Sequence, residues 1–252
     1  MSDSPRHTPS HQVRAFLRDI LPRSMVAFVR RHRDETSPSI GYIAFGDFRR
    51  TRPIDERFGY GRGTPIDRVY IERFLAKHAE SIRGRTLEVV DDGYTRRFGH
   101  PGSIREIIDV RPTNGKATII GDVTNLGPEW DEQFDGIVLT QTLQLIFDVR
   151  EAVKSLHRML KPGGTLLATV PGITSLDPSE YDNWFWSFTE ASTNRLFGDV
   201  FGKSNVSIEV YGNVCSAATF LHGVAAEELK PGMLEPVDRR YPVIVAVRAR
   251  KM

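Results

Sequence analysis

The stretch LHRMLKPGGTLLATVP, residues 156–171, contains the transition that decides the fold. It begins inside a predicted helix whose apolar residues recur at helical spacing: Val149, Ala152, Val153, Leu156, Met159 and Leu160. The sequence LysProGlyGly then ends the helix, and the apolar run TLLATV at residues 165–170 predicts a buried strand directly after it. A helix that leads straight into a buried strand is typical of a parallel sheet covered by helices.

Other short apolar runs on both sides of this stretch predict further strands. They are TLEVV (86–90), REIIDV (105–110), ATIIGDV (117–123), FDGIVLT (134–140), VSIEVYG (206–212) and YPVIVAVRA (241–249). A small-residue helical stretch, residues 216–229, separates the last two strands. Nearly continuous apolar strands that alternate with helices predict a doubly wound, mostly parallel α/β sheet. We expect this domain to occupy residues 58–252.

Residues 1–57 predict a separate amino-terminal arm. The first ~10 residues are polar and rich in Pro and Ser, which is typical of disorder. Apolar residues at helical spacing follow between Val13 and Val29, and the segment through Arg57 carries 11 Arg against 7 Asp and Glu. This pattern fits a helical lid on the main domain, which we favour, or an amphipathic helix on a membrane surface.

Bulk composition excludes several classes of protein. The net charge of +2 gives no overall excess that favours nucleic acid, and one cysteine, Cys215, excludes an internal disulfide. The start MSDSPRHTPS has no apolar segment typical of a secretory signal. No apolar run approaches the ~20 residues that a membrane helix needs. We therefore expect a cytoplasmic protein with no membrane insertion, and leave a homo-oligomer open.

Ligands of an open α/β sheet bind beyond the carboxyl ends of its strands, so the residues there are informative. Three predicted strands end in carboxylates, at Asp91, Asp109 and Asp122. A carboxylate at such a position can accept hydrogen bonds from ribose hydroxyls or from an exocyclic amine, but it would repel a pyrophosphate. These acids also have an ordinary interpretation as turn or cap residues. Together they favour a nucleoside without phosphates.

The chain resembles the class I S-adenosylmethionine (SAM)-dependent methyltransferases. The resemblance rests on TLEVV, GDV at residues 121–123, the run at residues 134–148 and, most specifically, residues 156–171. It implies a seven-stranded sheet with an antiparallel last strand, SAM as cofactor and S-adenosylhomocysteine as product. It implies that Glu88 orients the cofactor loop, Asp109 holds the ribose and Asp122 the adenine amine. The full implied cofactor set is Glu88, Val90, Asp91, Gly93, Tyr94, Asp109, Gly121, Asp122, Val123, Thr140 and Gln141.

One motif departs from the family pattern. The family follows its first strand with a GlyXGlyXGly loop, whose missing side chains let the backbone approach the methionine part of SAM. Here the loop, residues 90–99, has Gly93 alone near the expected place. Either the loop takes another path, with Tyr94 or Arg96 helping to hold the cofactor carboxylate, or SAM binding has weakened.

Candidate substrate residues flank the strand ends. We predict that they are Tyr60, Arg62, Gln144, Tyr181, Trp184 and Trp186. The aromatic run at residues 181–188 fits either core packing or a platform for a ring. His222 is our candidate general base, although a structural histidine fits as well. No metal-ligand spacing occurs, so we predict no metal.

The leading hypothesis is a small-molecule methyltransferase of secondary metabolism that acts on oxygen of a sugar or another hydroxylated natural product. Nitrogen as the acceptor atom stays open. A non-methylating protein of this fold is the first rival, because the glycine loop is degenerate. A peripheral membrane or nucleic-acid protein that uses the basic arm is the second. No GlyXGlyXXGly follows the first strand, which argues against a dinucleotide dehydrogenase.

Overall fold

The computed structural model describes Pro38 and residues 43–252. The chain divides into two compact units, Met1–Arg50 and Thr51–Met252. The described part of the first unit contains one turn of 3₁₀ helix, Gly46–Phe48. The disorder predicted for the first ten residues and the amphipathic helix predicted between Val13 and Val29 lie outside the described residues.

The second unit is built on a seven-stranded sheet with the strand order β3-β2-β1-β4-β5-β7-β6. The strands are β1 (Arg85–Val89), β2 (Ile104–Asp109), β3 (Ile119–Ile120), β4 (Phe134–Thr140), β5 (Leu160–Pro171), β6 (Val206–Tyr211) and β7 (Ile244–Arg250). Strands β1 to β5 pair in parallel, and β7 is antiparallel to both β5 and β6. The predicted doubly wound sheet with an antiparallel last strand is confirmed.

Five α-helices accompany the sheet of this unit, one before β1 and four between later strands. They are α1 (Ile66–Lys77), α2 (Gly93–Phe98), α3 (Val149–Met159), α4 (Glu190–Phe201) and α5 (Val214–Leu221). Helix α3 begins at the cap residue Asp148, whose carboxylate accepts the Glu151 N–H, and α4 and α5 begin with capping boxes at Thr189 and Asn213. Such caps supply partners to the otherwise unpaired N–H groups of a first turn.

The sheet separates two apolar cores, one on each face. Leu156 of α3 and Phe197 of α4 pack on one face, and Phe74 of α1 packs on the other. Strand β4 contributes to both, because successive side chains of a strand point to opposite faces: Ile137 joins the first core and Val138 the second. This double burial explains why the strands read as nearly continuous apolar runs.

Some boundaries differ from the sequence prediction. Strand β5 begins at Leu160 rather than at residue 165, because Leu160 already pairs with Phe134 before a register shift. Strand β3 is only two residues long, although the Gly121 N–H still donates to the Asp109 carbonyl oxygen at 3.0 Å before the chain turns away. The predicted helix at residues 216–229 ends at Leu221, since Gly223 adopts the left-handed φ of 67° that stops a helix.

Candidate functional site

The carboxyl ends of β1, β2 and β4 meet at one edge of the sheet. Val89 of β1 is opposite Ile108 of β2, and Glu88 is opposite Val138 of β4. The Val90 N–H continues the ladder by donating to the Ile108 carbonyl oxygen at 2.9 Å. The side chains that follow these three strands are therefore brought together, as the strand-end argument predicts.

Glu88 accepts hydrogen bonds from the loop that follows β1 and thereby positions that loop. Its side chain is buried, and its two carboxylate oxygens accept the N–H groups of Tyr94 at 3.1 Å and Thr95 at 2.7 Å. Burial raises the pKa of Glu88 to about 7, against the lowering effect of these hydrogen bonds. A carboxylate inside the sheet thus fixes where the loop turns into α2, which is the position the family resemblance gives to a loop-orienting acid.

The loop itself keeps a glycine-like path without glycine at its first position. Val90 has a φ of 72°, in the left-handed region that a β-branched residue rarely enters. The Asp91 carboxylate accepts the Gly93 N–H at 2.8 Å, and Asp92 pairs with Arg96 at 2.8 Å. Arg96 is therefore paired within its own loop. The backbone conformation of Val90, rather than a new side chain, reproduces the turn that a glycine would make at this position.

Asp109 ends β2 and is the most heavily hydrogen-bonded carboxylate of the edge. Arg111 donates to it through its backbone N–H at 2.9 Å and through its guanidinium, with Nη2 at 2.9 Å from Oδ2. Asn114 donates to the same Oδ2 at 2.7 Å and to the Val90 carbonyl oxygen at 2.7 Å. The hydrogen bonds from Arg111 are the main reason that the pKa of Asp109 is lowered to about 2.

Sequence reasoning missed both Arg111 and Asn114. The available signal was the run DVRPTN, residues 109–114, which places two donors within five residues of the strand-end acid. A cleft of about 300 Å³ opens beside these groups. Its lining residues are Val90, Asp91, Arg111, Thr113, Asn114 and Lys116.

The turn after β3 lies next to Asp109. The Gly121 N–H donates to the Asp109 carbonyl oxygen at 3.0 Å, while Val123 is buried in the first core. Asp122 is exposed, and its Oδ1 accepts the backbone N–H of Thr124 at 2.8 Å and the hydroxyl of Thr124 at 2.9 Å. One oxygen of this carboxylate, Oδ2, is left for an outside donor.

The end of β4 carries Thr140, Gln141 and Gln144. Gln141 has a left-handed φ of 47°, and its N–H donates to the Thr169 carbonyl oxygen at 2.9 Å. Gln144 is 2% exposed, and its Nε2 donates to the Gln141 carbonyl oxygen at 2.8 Å. The Gln144 carbonyl oxygen accepts the N–H of Phe185 at 2.8 Å, which attaches the aromatic run of residues 181–188 to the end of β4.

The aromatic run divides between the core and the surface. Phe188 is buried in the first core, whereas Tyr181, Phe185 and Trp186 are exposed. Phe147, which sequence reasoning did not select, stands edge-on to Phe185 at 5.4 Å between ring centroids and lies 5.9 Å from Trp186. The run thus contributes Phe188 to the core, and Phe185 and Trp186 form an exposed aromatic surface with Phe147.

Three predicted site residues cluster around the start of α1 and the end of α5. Tyr60 accepts the Arg68 Nε–H at 2.7 Å, and Arg62 forms an ion pair with Glu228. His222 follows α5, and its carbonyl oxygen accepts the N–H of Ile54 at 2.8 Å. Because β6 runs parallel to β5, α5 starts from the same edge of the sheet as the other candidate residues.

Among the described residues, Pro38 and 43–252, no group of three or more His, Cys, Asp or Glu side chains is arranged to hold a metal ion. Within the same residues, no helix has both the length and the apolar character needed to cross a membrane.

Residues 105–168 match the family model described as "Methyltransferase domain". The matched segment contains β2 to β4, α3 and most of β5, and therefore includes Asp109, Asp122 and Gln144. No curated protein matches the chain.

Several solved structures are similar in fold. A SAM-dependent methyltransferase from Archaeoglobus fulgidus is 13% identical, with 73% of this chain and 94% of that chain covered and a TM-score of 0.49. A possible histamine N-methyltransferase from Thermotoga maritima is 21% identical, with coverages of 79% and 98% and a TM-score of 0.46. The 1,6-didemethyltoxoflavin-N1-methyltransferase of Burkholderia thailandensis is 16% identical, with coverages of 100% and 93% and a TM-score of 0.47.

The strand order with its antiparallel β7 and the acids that end the strands agree with the fold that the resemblance to the class I SAM-dependent methyltransferases implies. Within this fold, residues 105–168 carry the match to a methyltransferase domain.

Proposed function

We propose that this protein binds SAM at the carboxyl ends of β1, β2 and β4 and transfers its methyl group to a hydroxyl of a small molecule. The observation that carries the proposal is the arrangement of Glu88, the left-handed Val90 and Asp109 on adjacent strands of the family's sheet. Glu88 holds the loop, Val90 gives the backbone the turn that glycines usually provide, and Asp109 offers a buried acceptor beside it.

The residues present fit the cofactor. Asp109 already attracts several donors, so its carboxylate can accept ribose hydroxyls in place of the Arg111 guanidinium. Asp122 keeps an oxygen free for the adenine amine. The proposed cofactor-binding set is Glu88, Val90, Asp91, Gly93, Tyr94, Asp109, Gly121, Asp122, Val123, Thr140 and Gln141.

When bound, SAM supplies an activated methyl group on a sulfonium. The protein's task is then to hold the acceptor in line and to exclude water, and positioning of this kind can supply ~7–11 kcal/mol. We assign acceptor binding to Tyr60, Arg62, Gln144, Tyr181, Trp184 and Trp186. His222 is the proposed base for the hydroxyl proton, a role that contributes ~10²–10⁴-fold in rate.

Calorimetric titration with SAM and S-adenosylhomocysteine tests the cofactor site. Micromolar binding to the wild-type protein is expected, with affinity lowered about 10- to 100-fold in Asp109→Ala, because a hydrogen bond to a charged group contributes ~1.5–3 kcal/mol. Asp122→Ala is expected to weaken binding as well. Asp131→Ala is the matched control, since Asp131 precedes β4 at its opposite end and pairs there with Arg158.

A specific observation favours one alternative, a protein of this fold that does not methylate. Val90, Asp92 and Tyr94 carry side chains in the loop where the family has glycines. If the folded wild-type protein binds neither SAM nor S-adenosylhomocysteine, the methyltransferase proposal fails and this alternative takes its place. If both bind, turnover with hydroxylated and with amine acceptors decides between O- and N-methylation.

A further inference from the structure

Two polar groups beside the end of β4 are buried without a hydrogen-bond partner. They are the side-chain oxygen Oε1 of Gln144 and the indole Nε1–H of Trp184. An unpaired buried donor or acceptor is destabilising, so proteins rarely keep one without a reason. One is an acceptor and the other a donor, and a group that both donates and accepts could use them.

The orientation of the Gln144 amide is determined by its other hydrogen bond. Its nitrogen faces the Gln141 carbonyl oxygen at 2.8 Å, and a carbonyl oxygen can only accept. Exchanging the nitrogen and oxygen of the amide would place two acceptors against each other. The unpaired atom is therefore an acceptor, and it needs a donor from elsewhere.

The two groups lie on segments that are joined directly. The Gln144 carbonyl oxygen accepts the N–H groups of Phe185 at 2.8 Å and Trp186 at 3.3 Å, so Trp184 immediately precedes the point of attachment. The neighbouring indole is different. The Trp186 Nε1–H donates to the carbonyl oxygens of Ile146 at 3.0 Å and Phe147 at 3.2 Å, so this donor is already paired within the protein.

We propose that Gln144 Oε1 and Trp184 Nε1–H together recognise a neutral group of the methyl acceptor that both donates and accepts a hydrogen bond, namely the hydroxyl of a phenolic ring. This inference rests on the proposed methyltransferase function and names the class of its acceptor. A hydroxyl can donate to Gln144 and accept from Trp184 at the same time.

The surroundings favour an uncharged aromatic partner. Gln144 and Trp184 are both neutral, so a buried ionised group would gain no counter-charge from them. Phe185 and Trp186 follow Trp184 in the chain, and their rings form an exposed aromatic surface with Phe147. Such rings pack against another ring edge-to-face or with an offset.

Proton–nitrogen NMR of the indole groups tests the inference on the full chain saturated with S-adenosylhomocysteine. The three tryptophans give three indole signals, and Trp184→Phe assigns the one that matters. Phenol at millimolar concentration is expected to shift the Trp184 signal. Anisole, which has the same ring but no donor for Gln144, is expected to bind ~5-fold more weakly. Equal shifts from phenol and anisole, or no shift from phenol, would overturn the inference.

A matched pair of variants separates recognition from structure. Trp184→Phe removes a donor without a partner, so the melting temperature should stay unchanged while phenol binding, followed on the Trp186 indole signal, weakens. Trp186→Phe removes a donor that has two partners and should lower the melting temperature by about 3 °C. Equal destabilisation by both variants would show that Trp184 is structural. S-adenosylhomocysteine binding in the same samples reports on the proposed function independently.

Discussion

Replacement of Val90 by glycine is expected to stabilise the protein, although it removes an apolar side chain. Val90 adopts a φ of 72°, a conformation that is strained for an L-residue and most strained for a β-branched one. Its side chain is 42% exposed and belongs to neither apolar core, so little burial is lost with it. Glycine adopts the same φ without strain.

The expected gain follows from three opposing contributions. Relief of a left-handed β-branched residue is worth about 1–3 kcal/mol. The greater freedom of glycine in the unfolded chain opposes folding by about 0.5–1 kcal/mol, and the partly buried side chain contributes less than ~1 kcal/mol. The net change in the free energy of unfolding is a gain on the order of 1 kcal/mol, which corresponds to a rise of about 2–4 °C in melting temperature.

Chemical and thermal denaturation measure this change, with two controls. Val89→Gly tests the neighbouring position in β1, which has ordinary strand geometry, and should destabilise the protein. Val90→Asn should fall between valine and glycine, because asparagine tolerates the left-handed region. A Val90→Gly protein that keeps its fold but unfolds more than about 1 kcal/mol more easily than wild type would refute the reasoning about strain.

The remaining predictions concern Glu88 and Arg111. Burial raises the pKa of Glu88 from 4.5 to about 7, so its contribution to the free energy of unfolding is full below pH 4.5 and is lost as the pH rises through 7. Glu88→Gln should remove this pH dependence of the free energy of unfolding, which amounts to at most on the order of 3 kcal/mol. Urea denaturation across that pH range measures it, and an unchanged pH dependence would contradict the assignment. Arg111→Ala frees the buried Asp109 carboxylate from its exposed partner and should tighten S-adenosylhomocysteine binding by up to about fivefold, because an ion pair that is exposed on one side contributes ~0.2–1 kcal/mol. Calorimetry with Arg105→Ala as the control checks this, and weaker binding would instead mean that Arg111 contacts the cofactor.

Much of the fold could be predicted from local pattern. Strand β4 occupies the predicted residues 134–140, and the helix before LysProGlyGly ends one residue before the predicted last apolar position, Leu160. These elements are recognisable because burial on both faces requires an unbroken apolar run, whatever the neighbouring strands are. The edge strand β3 was overestimated, since its length depends on how far β2 continues to pair with it.

The site was predictable only in part. Strand-end acids such as Asp109 can be located in the sequence, because parallel strands bring their carboxyl ends to one edge. Three features could not be found that way: the left-handed φ of Val90, the ion pair between Arg111 and Asp109, and the attachment of residues 184–186 to Gln144. Each depends on backbone conformation or on contacts between groups whose meeting is determined by packing rather than by neighbouring residues. The sequence by itself determined which residues stand at the edge, whereas the tertiary structure decided which of their polar groups are paired and which are left for a ligand.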